Sequence, residues 1–171
     1  LGNANLSLSE RERVRGIWLN FDSMFGLEQM KQFPNMEFVA TTSTGVDHIA
    51  MPIRSDPTIA VLALEPKTGE LDGVTSTVEL TWALILAQFA RVSEAHASVI
   101  SGSWHRSPWE REAQLSEQTL GVVGFGRIGA RVAQVGSSFG MEVLVAEVDE
   151  RKLPAIVREG YEPADMTALV E

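Results

Sequence analysis

Apolar positions come in short runs early in the chain, in one long run near the middle, and in a strand–helix–strand succession after it. Residues 1–13 are polar and charged and predict an irregular lead-in or a frayed helix. Val14–Phe21 contains Gly16-Ile17-Trp18-Leu19, a run short enough for a strand. Leu27–Phe33 predicts a short helix, stopped by Pro34, whose ring cannot continue it. Glu37–Thr41 predicts a second strand, which runs into a polar turn over 42–49 with Gly45 near its centre. Thr58–Leu64 predicts a third strand, and Glu65–Gly73 a loop with Pro66, Gly69 and Gly73.

The long run opens at Ser76. Ser76 with Glu79 three residues on predicts a capping box, and the helix is expected to reach Ser101 and stop at Gly102. Leu80, Trp82, Ala83, Leu84, Ile85, Leu86 and Phe89 leave almost no polar face, so the helix is expected to be buried on several sides, between two domains or two subunits. Thr81, Gln88 and Arg91 interrupt a stretch already too short for a membrane span. A polar linker over 102–116 carries Trp104 and Trp109. Beyond it, Leu120–Val123 predicts a buried strand and Arg127–Phe139 a helix, with Ile128, Val132, Val135 and Phe139 on one face. Gly140 ends that helix, and Met141–Ala146 is the next strand. A weaker helix is expected over Glu150–Arg158, and another short one where the chain reaches Glu171. The parts are 1–74, a helix over 75–102, and 103–171.

Gly124-Phe125-Gly126-Arg127-Ile128-Gly129 matches G-x-G-x-x-G. The match gains weight from its setting: a strand before it, an amphipathic helix after it, and a second strand ending in Glu147, 23 residues past Gly124. Gly124 lets the chain turn sharply out of the strand. Gly126 removes the side chain that would block a diphosphate, and Gly129 lets the helix lie close to the strand. Arg127 and Ile128 sit at the helix N-terminus, where free amides and the positive dipole end face an anion. Glu147 can accept from the ribose hydroxyls and would repel a 2′-phosphate, which favours NAD over NADP. Asp149 competes for that role, and the glycines alone would also suit a merely tight strand–helix turn.

The formal net charge of −9, with no basic run, argues against nucleic-acid binding. The absence of cysteine excludes disulfides, thiolate metal sites and cysteine nucleophiles, and fits a cytoplasmic protein. No His and carboxylate cluster has metal-ligand spacing, so no metal is expected. No membrane partner is expected either.

These segments together resemble the D-isomer-specific 2-hydroxyacid dehydrogenase family. The resemblance covers Phe33–Ile49 (strand and substrate loop), Ser76–Leu86 (interdomain helix), Gly102-Ser103-Trp104, and Leu120–Met141 (nucleotide-binding start). It implies an α/β protein: a partial flavodoxin-like substrate domain plus the first half of a Rossmann-type NAD-binding domain, joined by a long interdomain helix. It also implies a homodimer acting on a small 2-hydroxy or 2-oxo acid by hydride transfer with NAD. By resemblance, the amides at Thr44 and Gly45 hold the substrate carboxylate, and Thr44 and Thr81 approach the cofactor. Each also reads as an ordinary residue, the first pair as a turn and Thr81 as a buried helix position.

The family's later Arg, Glu and Pro-His pair have no counterpart, and the one Arg-Gly pair, Arg15-Gly16, precedes the nucleotide turn. The chain, which begins with Leu, is therefore expected to be a fragment, inactive alone. The resemblance places His48 at a helix start rather than at the chemistry, and Asp47 is expected to cap that helix. His96 and His105 carry no catalytic mark, and Trp82, Trp104 and Trp109 are expected to pack at a domain or dimer interface. The same fold also serves as a non-enzymatic NAD-sensing module of the corepressor type, an alternative reading.

Overall fold

The structure is a computed structural model that describes residues 6–65, 69, 71–110 and 113–169. Parts of the expected lead-in, the 65–73 loop, the linker and the chain's last helix fall outside these residues. The chain forms two compact units, Leu1–Glu70 and Leu71–Glu171.

The first unit begins with α1 (Leu8–Arg13), so the polar lead-in does become a helix. Its capping box is complete: Ser7 Oγ accepts from the Glu10 amide at 3.4 Å, and the Ser7 amide donates to Glu10 Oε2 at 2.8 Å. Strands β1 (Gly16–Leu19), β2 (Phe38–Thr41) and β3 (Ala60–Leu62) form a parallel sheet in the order β1-β2-β3. The short helices α2 (Leu27–Met30) and α3 (Met51–Arg54) lie in the connections. Alternation sends Ile17, Leu19 and Val39 to the core, where Phe25, Ile49 and Ile53 are at most 1 % exposed. Each such side chain contributes roughly 1.5–3 kcal/mol of burial. The other face presents Trp18, Phe38 and Leu62, all exposed. Gly16 serves this face: a Cβ there would sit 2.0 Å from the Phe38 ring.

The second unit holds α4 (Ser76–Phe89), α5 (Val92–Ile100), β4 (Thr119–Val123), α6 (Arg127–Ser138), β5 (Glu142–Ala146), α7 (Leu153–Arg158) and β6 (Glu162–Pro163). Its sheet is parallel, in the order β4-β5-β6, with α6 and α7 as the crossovers. Helices α5, α6 and α7 all end in the same hydrogen-bond pattern around Gly102, Gly140 and Gly160, each at positive φ. In α6, the Met141 amide reaches the Gly136 carbonyl and the Gly140 amide that of Ser137, a Schellman close.

Three expectations change here. The single long helix is two, because Arg91 takes the left-handed conformation (φ 52°, ψ 39°) between α4 and α5. Ser76 does not cap; Thr75 is the N-cap residue, and its hydroxyl donates to the Glu79 carboxylate instead. The helix is also less buried than its composition suggests. Val78 and Trp82 are the buried residues of α4, while Leu80 and Leu84 are about 60 % exposed. Trp82 packs within its own unit, on α6: its ring lies 5.1 Å from that of Phe139, and its Nε1 donates to the Val132 carbonyl at 3.3 Å.

Strand β6 goes unseen in the sequence, and turns occupy 166–169 where a helix was expected. The face that α6 lays on the sheet also differs from the apolar spacing. Val132, Ala133 and Gly136 are buried there, whereas Phe139 and Ile128 stay over one-third exposed. A Cβ at Gly136 would sit 2.5 Å from Leu120 Cδ2, so a side chain there would require the Leu120 side chain to move.

Candidate functional site

The glycine turn joins β4 to α6. Val122 is buried in β4, and the chain leaves the strand at Gly124 with φ 89°, a region that side-chain-bearing residues rarely adopt. The Gly124 amide donates to the Ala146 carbonyl at 2.7 Å, which ties the bend to the end of β5. Gly126 is the N-cap residue of α6 in extended conformation, and no side chain caps the helix. A Cβ at Gly126 would meet nothing within 4 Å. At Gly129 it would lie 2.0 Å from the Gly124 carbonyl oxygen. The two glycines therefore do different work: Gly129 permits packing, and Gly126 keeps open a space in front of uncapped first-turn amides.

Glu147 follows β5 and points into this bend. Its Oε2 accepts from the Phe125 amide at 2.7 Å and from Lys152 Nζ at 2.9 Å, and its Oε1 accepts from the Asp149 amide at 3.0 Å. The side chain is 5 % exposed. The Lys152 ammonium, then the Asp149 and Phe125 amides, hold its pKa down to about 2. A carboxylate offers about four lone-pair sites, and three are taken. Asp149 is engaged elsewhere: Arg151 Nε and Nη2 bind its two oxygens at 2.7 and 2.8 Å. Of the two candidates, only Glu147 faces the glycines. Lys152 escaped the sequence reading because a spacing of five from Glu147 marks neither a helical pair nor any motif.

Arg127 and Ile128 occupy the first turn of α6. The Arg127 guanidinium turns back on its own unit and donates to the Leu71 and Val74 carbonyls at 3.2 and 2.8 Å. Arg131 likewise donates to the Asp72 carbonyl. Thr81, in α4, spends its hydroxyl proton on the Thr77 carbonyl at 2.7 Å.

In the first unit, Thr44 and Gly45 are both exposed, on the loop that follows β2. Ser43 Oγ donates to the Gly45 carbonyl at 2.6 Å. Asp47 does not cap α3. Ala50 is that helix's N-cap residue, and Asp47 stands 4.0 Å from Arg54 with its side chain almost fully exposed. His48 is not at the helix start either; it is buried, with Nε2 3.1 Å from Thr41 Oγ1. Trp104 is exposed, and Trp109 lies under the Arg91 guanidinium at 5.0 Å. Among the described residues no helix is long and apolar enough to cross a membrane, and no group of three or more His, Asp or Glu side chains is placed to hold a metal ion.

The open space at Gly126, the uncapped helix start and the ionised carboxylate beside them fit the diphosphate and adenosine ribose of a dinucleotide. The comparisons agree. The family model described as "D-isomer specific 2-hydroxyacid dehydrogenase, NAD binding domain" matches residues 82–171. A glyoxylate reductase from Aeropyrum pernix is 32 % identical over 143 residues, covering 80 % of this chain and 41 % of that protein. One from Thermofilum pendens is 32 % identical over 148 residues, covering 84 % of this chain and 42 % of that protein. The crystal structure of the Aquifex aeolicus D-lactate dehydrogenase, complexed with NAD and lactic acid, has a TM-score of 0.82. It is 27 % identical, and the match covers 98 % of this chain and 48 % of that one. This chain thus spans less than half the length of these relatives. None of these matches supports the corepressor reading. The chain belongs to the D-isomer-specific 2-hydroxyacid dehydrogenase family, and the cofactor of the domain it matches is NAD.

Proposed function

We propose that the parent protein of this chain is a D-2-hydroxyacid dehydrogenase that moves hydride between NAD(H) and C2 of a small 2-hydroxy or 2-oxo acid. The observation that carries the cofactor half is the 2.7 Å bond from the Phe125 amide to Glu147, which supports Glu147 as the ribose acceptor beside a phosphate-binding glycine turn. Gly124 and Gly129 shape the turn, and Gly126 leaves room for the diphosphate. The backbone amides of Arg127 and Ile128 face it at the positive end of α6. Glu147 takes a ribose hydroxyl with its remaining acceptor site. When bound, NAD supplies the hydride chemistry, and the protein supplies grip and position. The names of the relatives, glyoxylate reductase and D-lactate dehydrogenase, support the substrate class. Thr44 and Gly45 are assigned to the substrate carboxylate, and Thr81 to the cofactor. Thr81 is an acceptor there for as long as its proton serves Thr77.

Titration with NADH, followed by energy transfer from tryptophan to the nicotinamide, tests the reading. Saturable binding that Glu147→Gln weakens is the expected result, with NADPH binding more weakly. Equal response to both nucleotides, or none, would overturn it. Oxidation of NADH by glyoxylate, pyruvate or hydroxypyruvate tests the chemistry. It is expected to be absent from this chain, which has no Pro-His pair, and present in a protein that adds the acid–base His, its Glu and the substrate-orienting Arg. The exposed Leu80, Leu84 and Ile100 favour a homodimer, which light scattering would detect.

A further inference from the structure

Among the described residues, His48 is one of two buried polar side chains, and the function proposed above does not use it; the other is Thr41, its neighbour. Its backbone is fixed, since its carbonyl accepts from the Phe25 amide at 2.8 Å and Ala50 donates to the Phe25 carbonyl at 2.9 Å. Its ring begins a line of side chains that ends at the carboxylate loop. Nε2 lies 3.1 Å from Thr41 Oγ1, Thr41 Oγ1 lies 3.1 Å from Ser43 Oγ, and Ser43 Oγ donates to the Gly45 carbonyl at 2.6 Å. The Ser43 amide also donates to Thr41 Oγ1, at 3.3 Å.

Proton counting sets the direction of this line. Ser43 has one hydroxyl proton, and the Gly45 carbonyl takes it. The contact with Thr41 is therefore a bond only if Thr41 donates to Ser43. Thr41 then has no proton left for His48, so His48 must donate to Thr41 through an Nε2–H. Each hydroxyl donates once and accepts at least once, and such a chain strengthens its members. Its far end fixes the Gly45 carbonyl. Because the peptide is planar and trans, that also fixes the amide of Val46 on the opposite side. Ser43's own carbonyl accepts from Leu64 at 3.2 Å, so the loop is held at both of its polar ends.

We propose that His48 is a positioning residue. As an Nε2–H donor it aligns Thr41 and Ser43, and through them it fixes the Gly45 carbonyl and so the course of the loop whose Thr44 and Gly45 amides are assigned to a 2-oxo acid carboxylate. The proposal rests on the assignment of Thr44 and Gly45 to that carboxylate.

The test is nuclear magnetic resonance on the 171-residue chain, with pyruvate as probe. Long-range nitrogen–proton correlation should report the Nε2–H tautomer at neutral pH; an Nδ1–H tautomer overturns the proposal outright. Pyruvate should shift the Thr44 and Gly45 amides of the wild-type chain. His48→Leu, which keeps the bulk but donates nothing, should raise the pyruvate Kd by about tenfold, the worth of one net hydrogen bond. His48→Gln restores a donor at the same reach and should return the Kd to within about threefold of wild type. Pyruvate binding that is equal in the wild type and the Leu variant, or that the Gln variant fails to rescue, rejects the role of His48. Absence of any pyruvate shift in the wild type rejects the carboxylate assignment itself, and this proposal with it. Should the Leu variant not fold, the tautomer and the Gln variant still decide.

Discussion

Gly126 and Gly129 lie three residues apart in one motif, and the structure gives them opposite fates when each becomes Ala. At Gly129 the new methyl would stand 2.0 Å from the Gly124 oxygen and 3.2 Å from Val122 Cγ1. The oxygen cannot swing away freely, since Gly124 sits at φ 89° with its amide bound to Ala146. Relief requires helix and strand to separate by more than about 1 Å, and overpacking of this kind costs about 1–3 kcal/mol. Alanine's better helix propensity returns at most about 1 kcal/mol. A net loss of about 1–2 kcal/mol should lower Tm by roughly 4–8 °C.

At Gly126 the methyl meets nothing within 4 Å, and φ −94° with ψ −168° suits alanine. Lower chain entropy in the unfolded state favours Ala by about 0.4–1 kcal/mol, and its weaker N-cap preference removes a similar amount, so Tm should hold. The same methyl occupies the space proposed for the diphosphate, and NADH affinity should fall by about ten- to a hundredfold. Calorimetric melting of both variants, followed by NADH titration, reads both effects. Equal loss of Tm in the two, or wild-type NADH affinity in Gly126→Ala, would refute the division of labour.

The Glu147 carboxyl has a folded pKa of about 2, below its ordinary value, so its stabilisation is complete above pH 4.5 and fades as pH falls toward 2. Urea melts of wild type and Glu147→Gln should therefore differ most at pH 5–7 and converge below 4.5; a gap that stays constant down to pH 3 would contradict this. Trp82→Phe removes the bond to the Val132 carbonyl and should cost about 1 kcal/mol, whereas Trp82→Ala should cost about 3–5 kcal/mol; both are readable as shifts of the urea midpoint. Arg91→Gly should be neutral or slightly stabilising. Relief of a left-handed residue offsets the exposed Glu94 ion pair and the Trp109 stack, and Arg91→Val, with its branched Cβ, should lower Tm in the same melt.

The strand–turn–helix–strand from Thr119 to Ala146 was legible because each signal there is local. The strands read as unbroken apolar runs, although in β4 only Val122 is buried and Val123 is exposed, and glycine marks the positive-φ positions at Gly124 and Gly140. The break at Arg91 left no trace, since Ala90-Arg91-Val92 contains neither glycine nor proline to mark it. Only the surrounding structure sets it. Strand β6 is two residues long and contains Pro163, which strands ordinarily avoid, so its pairing with β5 is purely tertiary. In the site, the spacing pointed to Glu147. Its direction, its lysine partner and the retreat of Arg127 to the turn at 71–74 are matters of side-chain rotamer, on which a sequence is silent.

The three internal donors on Glu147 bear on the thermodynamics of nucleotide capture. An acceptor that is already a full anion at neutral pH, and already turned toward the bend, neither takes up nor gives off a proton when a sugar hydroxyl arrives. Its desolvation has been settled during folding rather than at the encounter. On the ribose role proposed for Glu147, affinity for the adenosine end should accordingly be level across the physiological range.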